Sequence, residues 1–213
     1  MQVVMSFMML ARVFAFIPRA AASATRIQEV LDIEPKITNP EDAKALPATN
    51  DHSLAFDHVD YRYQSAEQLA LSDIDFKAHS GQTVAIIGGT GSGKTTLVNL
   101  IPRFYDVEKG AVKLDGLDVR DLKLTDLHQA VSFVPQTATL FTGTIRDNMQ
   151  FGNANATDDE IWHALEIARS TDFVKEEGGL DAHVEQGGGN FSGGQRQRLA
   201  IARALVKHAS AYV

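Results

Sequence analysis

"QTVAIIGGTGSGKTTLVNLI", Gln82 to Ile101, decides how the rest of the chain is read. It begins with a continuous apolar run, Val84 to Ile87, of the kind that forms a strand buried on both faces. It ends in a helix-compatible stretch stopped by Pro102. Between them stand Gly88, Gly89, Thr90, Gly91, Ser92, Gly93, Lys94 and Thr95, which match G-x-x-x-x-G-K-S/T with a strand before and a helix after. The chemistry of a polyphosphate explains these residue types. A triphosphate carries roughly four negative charges, and a tight loop can turn successive backbone N–H groups toward them. Glycines at 88, 89, 91 and 93 permit positive φ angles and leave no Cβ in the way. The helix starting near Gly93 adds the positive end of its dipole. Lys94 reaches the β- and γ-phosphates, and the Thr95 hydroxyl can ligate Mg²⁺. The loop predicts ATP or a related nucleotide, and by itself it names no function.

Outward from the loop, "LAFDHVDYRY" (Leu54 to Tyr63) and "LALSDIDFKA" (Leu69 to Ala78) alternate apolar and polar residues as half-buried strands do. "AVKLDGLDV" reads as a hairpin turning on Asp115-Gly116, and "AVSFVPQ" as another buried strand. Thr157 to Glu160 has the spacing of a capping box and opens the helix "EIWHALEIA". "LAIARALVKHASAYV" closes the chain with a helix and the beginning of a strand at Ala211. Strands and helices alternating around a buried run predict an α/β domain with a largely parallel sheet.

The chain has 213 residues, 44% hydrophobic and 22% charged, which suits one globular domain plus an appendage. A formal net charge of -7 argues against a binder of phosphate backbones, which needs a basic face. With no cysteine, disulfides, thiolate zinc sites and cysteine nucleophiles are excluded.

The appendage is "MQVVMSFMMLARVFAFIPRA". No basic residue precedes its apolar stretch and Arg12 interrupts it, which argues against a secretory signal. Met1 to Ile17 falls short of the ~20 apolar residues of a complete span. Two readings remain: an amphipathic helix packed on its own domain, or, the favoured one, the inner end of a membrane helix whose earlier part is absent. The helical pattern runs to Ile33. Residues 34–53, with three prolines and many polar side chains, read as a linker, and residues 54–213 as the nucleotide-binding domain.

"NFSGGQRQRLAIARAL" carries a second signal. Ser192 and Gln195 have the spacing of a capping box, so Ser192 is the N-cap of a helix. Gly193 and Gly194 leave its first-turn N–H groups uncovered, an anion site without an anion of its own. Each glycine costs a helix about 1 kcal/mol, so a plain helix start has no use for two. Along this helix Arg196, Arg203 and Lys207 share a face opposite Leu199, Ala202, Leu205 and Val206. Arg198 projects into the apolar arc and is expected to be partly buried, with a hydrogen bond or ion pair.

At this point the chain resembles the nucleotide-binding domain of ABC transporters. "FSGGQ" is similar to their LSGGQ signature, with Phe191 in place of leucine, and the resemblance runs from Leu54 onward. It implies a P-loop NTPase (RecA-like) ABC ATPase core with an antiparallel β subdomain and a helical signature subdomain. ATP and Mg²⁺ are the implied cofactors. Residues Gly88 to Thr95 together with Thr96 would bind the nucleotide, and Tyr63 would stack on adenine. Gln136 matches the Q-loop glutamine, which contacts Mg²⁺ and the attacking water. Ser192, Gly193, Gly194 and Gln195 match the signature that caps the γ-phosphate held by another subunit. Lys94, Gln136 and, in trans, Ser192 are therefore the implied catalytic residues, with Thr95 and Gln136 on the metal. The family's glutamate before the signature falls on Gln186, with Glu185 beside it, which is a departure.

"LFTGTIRDNMQFG" and "PRAAASATRIQEVLDIEP" resemble exporters whose membrane and ATPase domains share one chain. The resemblance thus implies an ATPase in a membrane, its ATP-binding domain on the cytoplasmic side, coupling hydrolysis to export. The implied partners are a second half-transporter and the chain's own transmembrane domain, with no nucleic acid. Two alternatives stand beside it: a soluble ABC ATPase acting on nucleic acid, and a non-hydrolysing regulatory subunit. In the family the strand beginning at Ala211 leads to the Walker B aspartate and catalytic glutamate. Both would fall after Val213, so the chain as given is expected to be a fragment unable to hydrolyse ATP.

Overall fold

The computed structural model describes residues 1–47, 52–64 and 66–213, so residues 48–51 of the expected linker lie outside the described residues. The chain divides into two compact units, Met1–Thr38 and Asn39–Val213. The first is a single helix, α1 (Gln2–Leu31), which continues unbroken through Pro18 into the alanine-rich segment after it. None of its residues is buried. The apolar run counted to Ile17 is too short for a span, but the whole helix is not. Its 30 residues cover ~45 Å, and it is long and apolar enough to cross a membrane.

In the second unit the elements follow as β1 (Ser53–Tyr61), β2 (Leu71–His79), α2 (Lys94–Leu100), β3 (Lys109–Leu114), β4 (Leu117–Asp118), α3 (Leu124–Ala130) and β5 (Val131–Ser132). Then come β6 (Gly143–Thr144), α4 (Ile145–Gln150), α5 (Asp158–Ile167), α6 (Thr171–Glu176), β7 (His183–Val184), α7 (Gly193–Val206) and β8 (Ala211–Tyr212). An antiparallel sheet of order β2-β1-β3-β4 lays Phe56, Val59 and Val112 over a core shared with Leu97 and Leu100 of α2 and Leu127 of α3. Its last hairpin turns on Asp115 and Gly116, at φ 52 and φ 80, the left-handed pair that a two-residue type I′ turn requires. A second core gathers Ile145 and Met149 of α4, Ile161 and Leu165 of α5, Val174 of α6 and Leu199 of α7. The antiparallel and helical parts expected from the resemblance thus each bury their own apolar face.

The segment after Thr38 does not run free. Asn39 Oδ1 accepts from the Leu124 N–H, and Lys44 bonds Asp121 through both its backbone and its ammonium, at 2.8 and 2.7 Å. β5 and β8 pair in parallel, Val131 with Ala211 and Ser132 with Tyr212, and two further bonds of 2.8 Å join Val213 to Ser132 and Val134.

The expected central strand is the main departure. Residues 82–89 join no ladder among the described residues, and Val84, Ile86 and Ile87 are 49%, 38% and 94% exposed. An apolar run states a preference for burial, while a strand needs neighbours to receive its hydrogen bonds. Among the described residues the largely parallel sheet expected around it is reduced to the β5–β8 pair, whose outer edges it does not join, and the larger sheet is antiparallel.

Three capping boxes close helix starts, at Thr144/Asp147, Thr157/Glu160 and Ser192/Gln195. The backbone N–H of Thr157, then its hydroxyl, hold the Glu160 carboxyl below its ordinary 4.5. A depressed carboxyl stabilises the fold above its unfolded pKa and loses that contribution as pH falls through the folded one. Glu160→Gln should therefore flatten the acid limb of a stability profile. The difference in urea midpoint between wild type and variant should shrink between neutral pH and about pH 3; a difference independent of pH would refute the assignment.

Candidate nucleotide site

The loop from Gly88 to Gly93 links the unpaired run to α2. Gly93, the N-cap of α2, has φ 86, and a Cβ there would lie 2.8 Å from Leu71 Cδ2 and 2.9 Å from the Ala70 carbonyl oxygen. Both the dihedral and the start of β2 thus demand glycine. Gly91 is likewise left-handed, at φ 82, whereas Gly88 and Gly89 do not use that freedom. At Gly88 the constraint is room, since a Cβ would lie 2.5 Å from Ser92 Oγ.

The Lys94 ammonium donates to the carbonyls of Gly88 and Gly89, at 2.8 and 2.6 Å, and lies 3.4 Å from Ser92 Oγ. Among the described residues it has no carboxylate partner. Thr90, Ser92 and Thr95 are exposed. A cation wrapped by backbone carbonyls, at the start of a helix and without a counter-ion, suits a polyanion that can displace the carbonyls.

Tyr63, just past β1, is brought to the first turn of α2. Its hydroxyl lies 2.9 Å from Oγ1 of the buried Thr96. Its ring is nearly perpendicular to those of Tyr61 and Tyr105, with centroids 5.0 and 5.6 Å away. Thr96 therefore spends its side chain on Tyr63. The sequence reading did not single out Tyr61 or Tyr105. Tyr61 reads as an ordinary strand residue, and only the two-residue spacing to Tyr63 hints at a shared face.

Gln136 is exposed in the segment after β5. Ser192 caps α7: its Oγ accepts from the Gln195 N–H at 3.3 Å, and Gln195 Oε1 accepts from the Ser192 N–H at 2.8 Å. Gly193 and Gly194 are exposed and neither has positive φ. A Cβ would meet nothing closer than Arg196 Nη2 at 3.9 Å for Gly193, or Arg198 Nη1 at 3.7 Å for Gly194. Among the described residues nothing requires glycine at either place. No hydrogen bond among the described residues joins Gln136 or Ser192 to Gln195 with Gly88 to Thr95. The structure thus joins Tyr63 to the helix after the loop through Thr96, and among the described residues no hydrogen bond joins the Q-loop or signature positions to the loop.

Elsewhere on α7, Arg198 is partly buried as expected, but its partner is the Phe173 ring, 5.3 Å from the guanidinium carbon, and its Nε has no hydrogen bond. Among the described residues no carboxylate pairs with it, and the packing against α6 supplies an aromatic face instead. The basic face is no solvated stripe either. Arg196 donates to Phe191 O at 2.6 Å, Arg203 to Thr139 O at 3.0 Å and Lys207 to Val131 O at 2.8 Å. Burial holds the last two below their ordinary pKa values. A cleft of about 240 Å³ beside Arg203 and Lys207 includes none of residues 88–96, so concavity alone would not have found the phosphate loop.

A glycine loop whose carbonyls hold a lysine with no carboxylate partner among the described residues, a tyrosine latched to the following helix, and a serine-capped helix with two bare glycines together define an ATP-binding domain of a P-loop ATPase. The ABC transporter family profile matches residues 71–213, and the chain belongs to that family. Along its full length the chain is 43% identical to an uncharacterized ABC transporter ATP-binding protein of Mycobacterium bovis, covering 37% of that protein. It is 40% identical, over 91% of its length, to the ATP-dependent lipid A-core flippase of Desulfotalea psychrophila, covering 33% of it. Among solved structures, a bacterial Atm1-family ABC exporter with ATP bound superposes with a TM-score of 0.85 at 34% identity, over 94% of this chain and 35% of that one. The chain thus spans about a third of the length of the relatives it matches.

Proposed function

We propose that this chain is the ATP-binding part of an ABC exporter that couples ATP binding and hydrolysis to movement of a substrate across a membrane. The observation that carries the reading is the Lys94 ammonium, bonded to Gly88 and Gly89 in a loop held against Tyr63 through Thr96. The 30-residue α1, long and apolar enough to cross a membrane, supports the exporter part, as does the likeness to an Atm1-family ABC exporter over 94% of this chain. With α1 at the membrane, the ATP-binding unit would sit on the cytoplasmic side.

Lys94 and the N–H groups of residues 88–96 would hold the phosphates, and Tyr63 would stack on adenine. Thr95 and Gln136 offer hydroxyl and amide oxygens, a hard donor set that suits Mg²⁺ alongside phosphate oxygens. Mg²⁺ there would neutralise charge on the β- and γ-phosphates. Ser192 and the bare N–H groups beside it would serve the γ-phosphate of a second subunit.

The 213-residue chain alone should therefore bind ATP weakly and turn none over, since Ser192 is read as serving a second subunit's phosphate and the run before the loop joins no ladder among the described residues. The full-length protein in liposomes should hydrolyse ATP, without stimulation by DNA or RNA. Turnover by the isolated chain that Lys94→Ala abolishes, or stimulation by nucleic acid, would overturn the reading.

A further inference from the structure

We infer that Tyr105 is a positioning residue for adenine, acting through the ring of Tyr63; the inference rests on the stacking role proposed for Tyr63. An exposed tyrosine beyond a strand end ordinarily samples several rotamers, and ordering it on binding weakens affinity. Tyr63, 38% exposed, is instead held before any nucleotide arrives. Its hydroxyl is bonded to Thr96, and its ring stands 82° to Tyr61 and 81° to Tyr105. Tyr61 and Tyr105 also contact each other, at 5.6 Å, so the three rings form one cluster.

What distinguishes Tyr105 from a chance neighbour is how firmly its own segment is fixed. Next to it, Asp106 takes a two-pronged bond from the buried Arg103, Nε to Oδ1 at 2.7 Å and Nη2 to Oδ2 at 3.1 Å. Three residues on, Glu108 takes a second fork from Arg62, both prongs at 3.1 Å, and its N–H donates to Asp60 O at 2.9 Å. Arg62 lies between Tyr61 and Tyr63. The segment carrying Tyr105 is therefore clamped to the segment carrying Tyr63 by a forked ion pair, a backbone bond and a ring contact. Planar forks of this kind fix orientation as well as distance. The arrangement sets the Tyr63 ring in advance, so the base meets a formed platform.

The test measures dissociation constants of the 213-residue chain for ATP and for tripolyphosphate, which has the charges and lacks the base. Tyr105→Ala should raise the ATP constant about two- to tenfold, the range for freeing one side chain that binding must then order. It should leave tripolyphosphate unchanged, which shows that the loop is still folded, and Tyr105→Phe should restore ATP affinity. Tyr63→Ala should raise the ATP constant about five- to hundredfold. Adding Tyr105→Ala to Tyr63→Ala should change nothing further. A Tyr105→Ala effect that persists in the Tyr63→Ala background, or that strikes tripolyphosphate equally, overturns positioning through Tyr63. A silent Tyr105→Ala beside a damaging Tyr63→Ala removes this inference alone. A silent Tyr63→Ala removes the stacking reading, and this inference with it.

Discussion

A Gly194→Asp subunit of the full-length protein should bind ATP at its own phosphate loop while lowering hydrolysis at the partner's by about 10²–10³, the range for losing one preorganised anion contact. The geometry of α7 makes this substitution a clean probe. Position 194 is exposed, its φ is not left-handed, and a Cβ there lies 3.7 Å from Arg198 Nη1. An aspartate in the first turn of α7, four residues before Arg198, suits both the helix dipole and an i,i+4 pair. The unfolding midpoint should therefore stay level or rise. The damage would come from outside the chain, where the added carboxylate would crowd and repel a γ-phosphate facing the bare N–H groups.

Mixing Gly194→Asp subunits with Lys94→Ala subunits extends the test. If Ser192 and its neighbours act in trans, mixed dimers place both lesions in one composite site and leave the other intact, so partial ATPase activity returns. Loss of ATP binding by Gly194→Asp alone would refute the assignment. So would an absence of recovery in mixed dimers that demonstrably form, provided each site turns over independently in wild type.

Lys94→Ala should raise the ATP dissociation constant by about 10²–10⁴ and remove measurable turnover. A hydrogen bond to a charged group contributes about 1.5–3 kcal/mol, and the ammonium would bond both the β- and γ-phosphates. The substitution also deletes the bonds to Gly88 and Gly89, at 2.8 and 2.6 Å, that shape the loop without nucleotide. Equilibrium titration with ATP measures the loss, and ATP affinity within threefold of wild type would refute the role given to Lys94.

Much of the site was legible because its chemistry is local in sequence. A phosphate loop must be contiguous, since consecutive N–H groups do the binding, so Gly88 to Thr95 could be read directly. Capping boxes span four consecutive residues, which is why Thr157/Glu160 and Ser192/Gln195 were legible and are present. The Asp115-Gly116 hairpin was legible for the same reason, its turn being set by two backbone dihedrals.

What the sequence by itself determined is therefore the nucleotide chemistry, the family resemblance and the local starts and turns, all encoded within a few consecutive residues. Only the tertiary structure decided which groups meet across long separations: Tyr63 with Thr96, Tyr105 with Tyr63, Arg198 with Phe173. It also left residues 82–89 without a ladder, despite the strongest strand-like run in the chain. The physical reason is common to these cases. Hydrophobicity and side-chain type record what a residue can offer, whereas a ladder, a ring contact or a latch needs a second group. Which group arrives is settled by packing distant segments together.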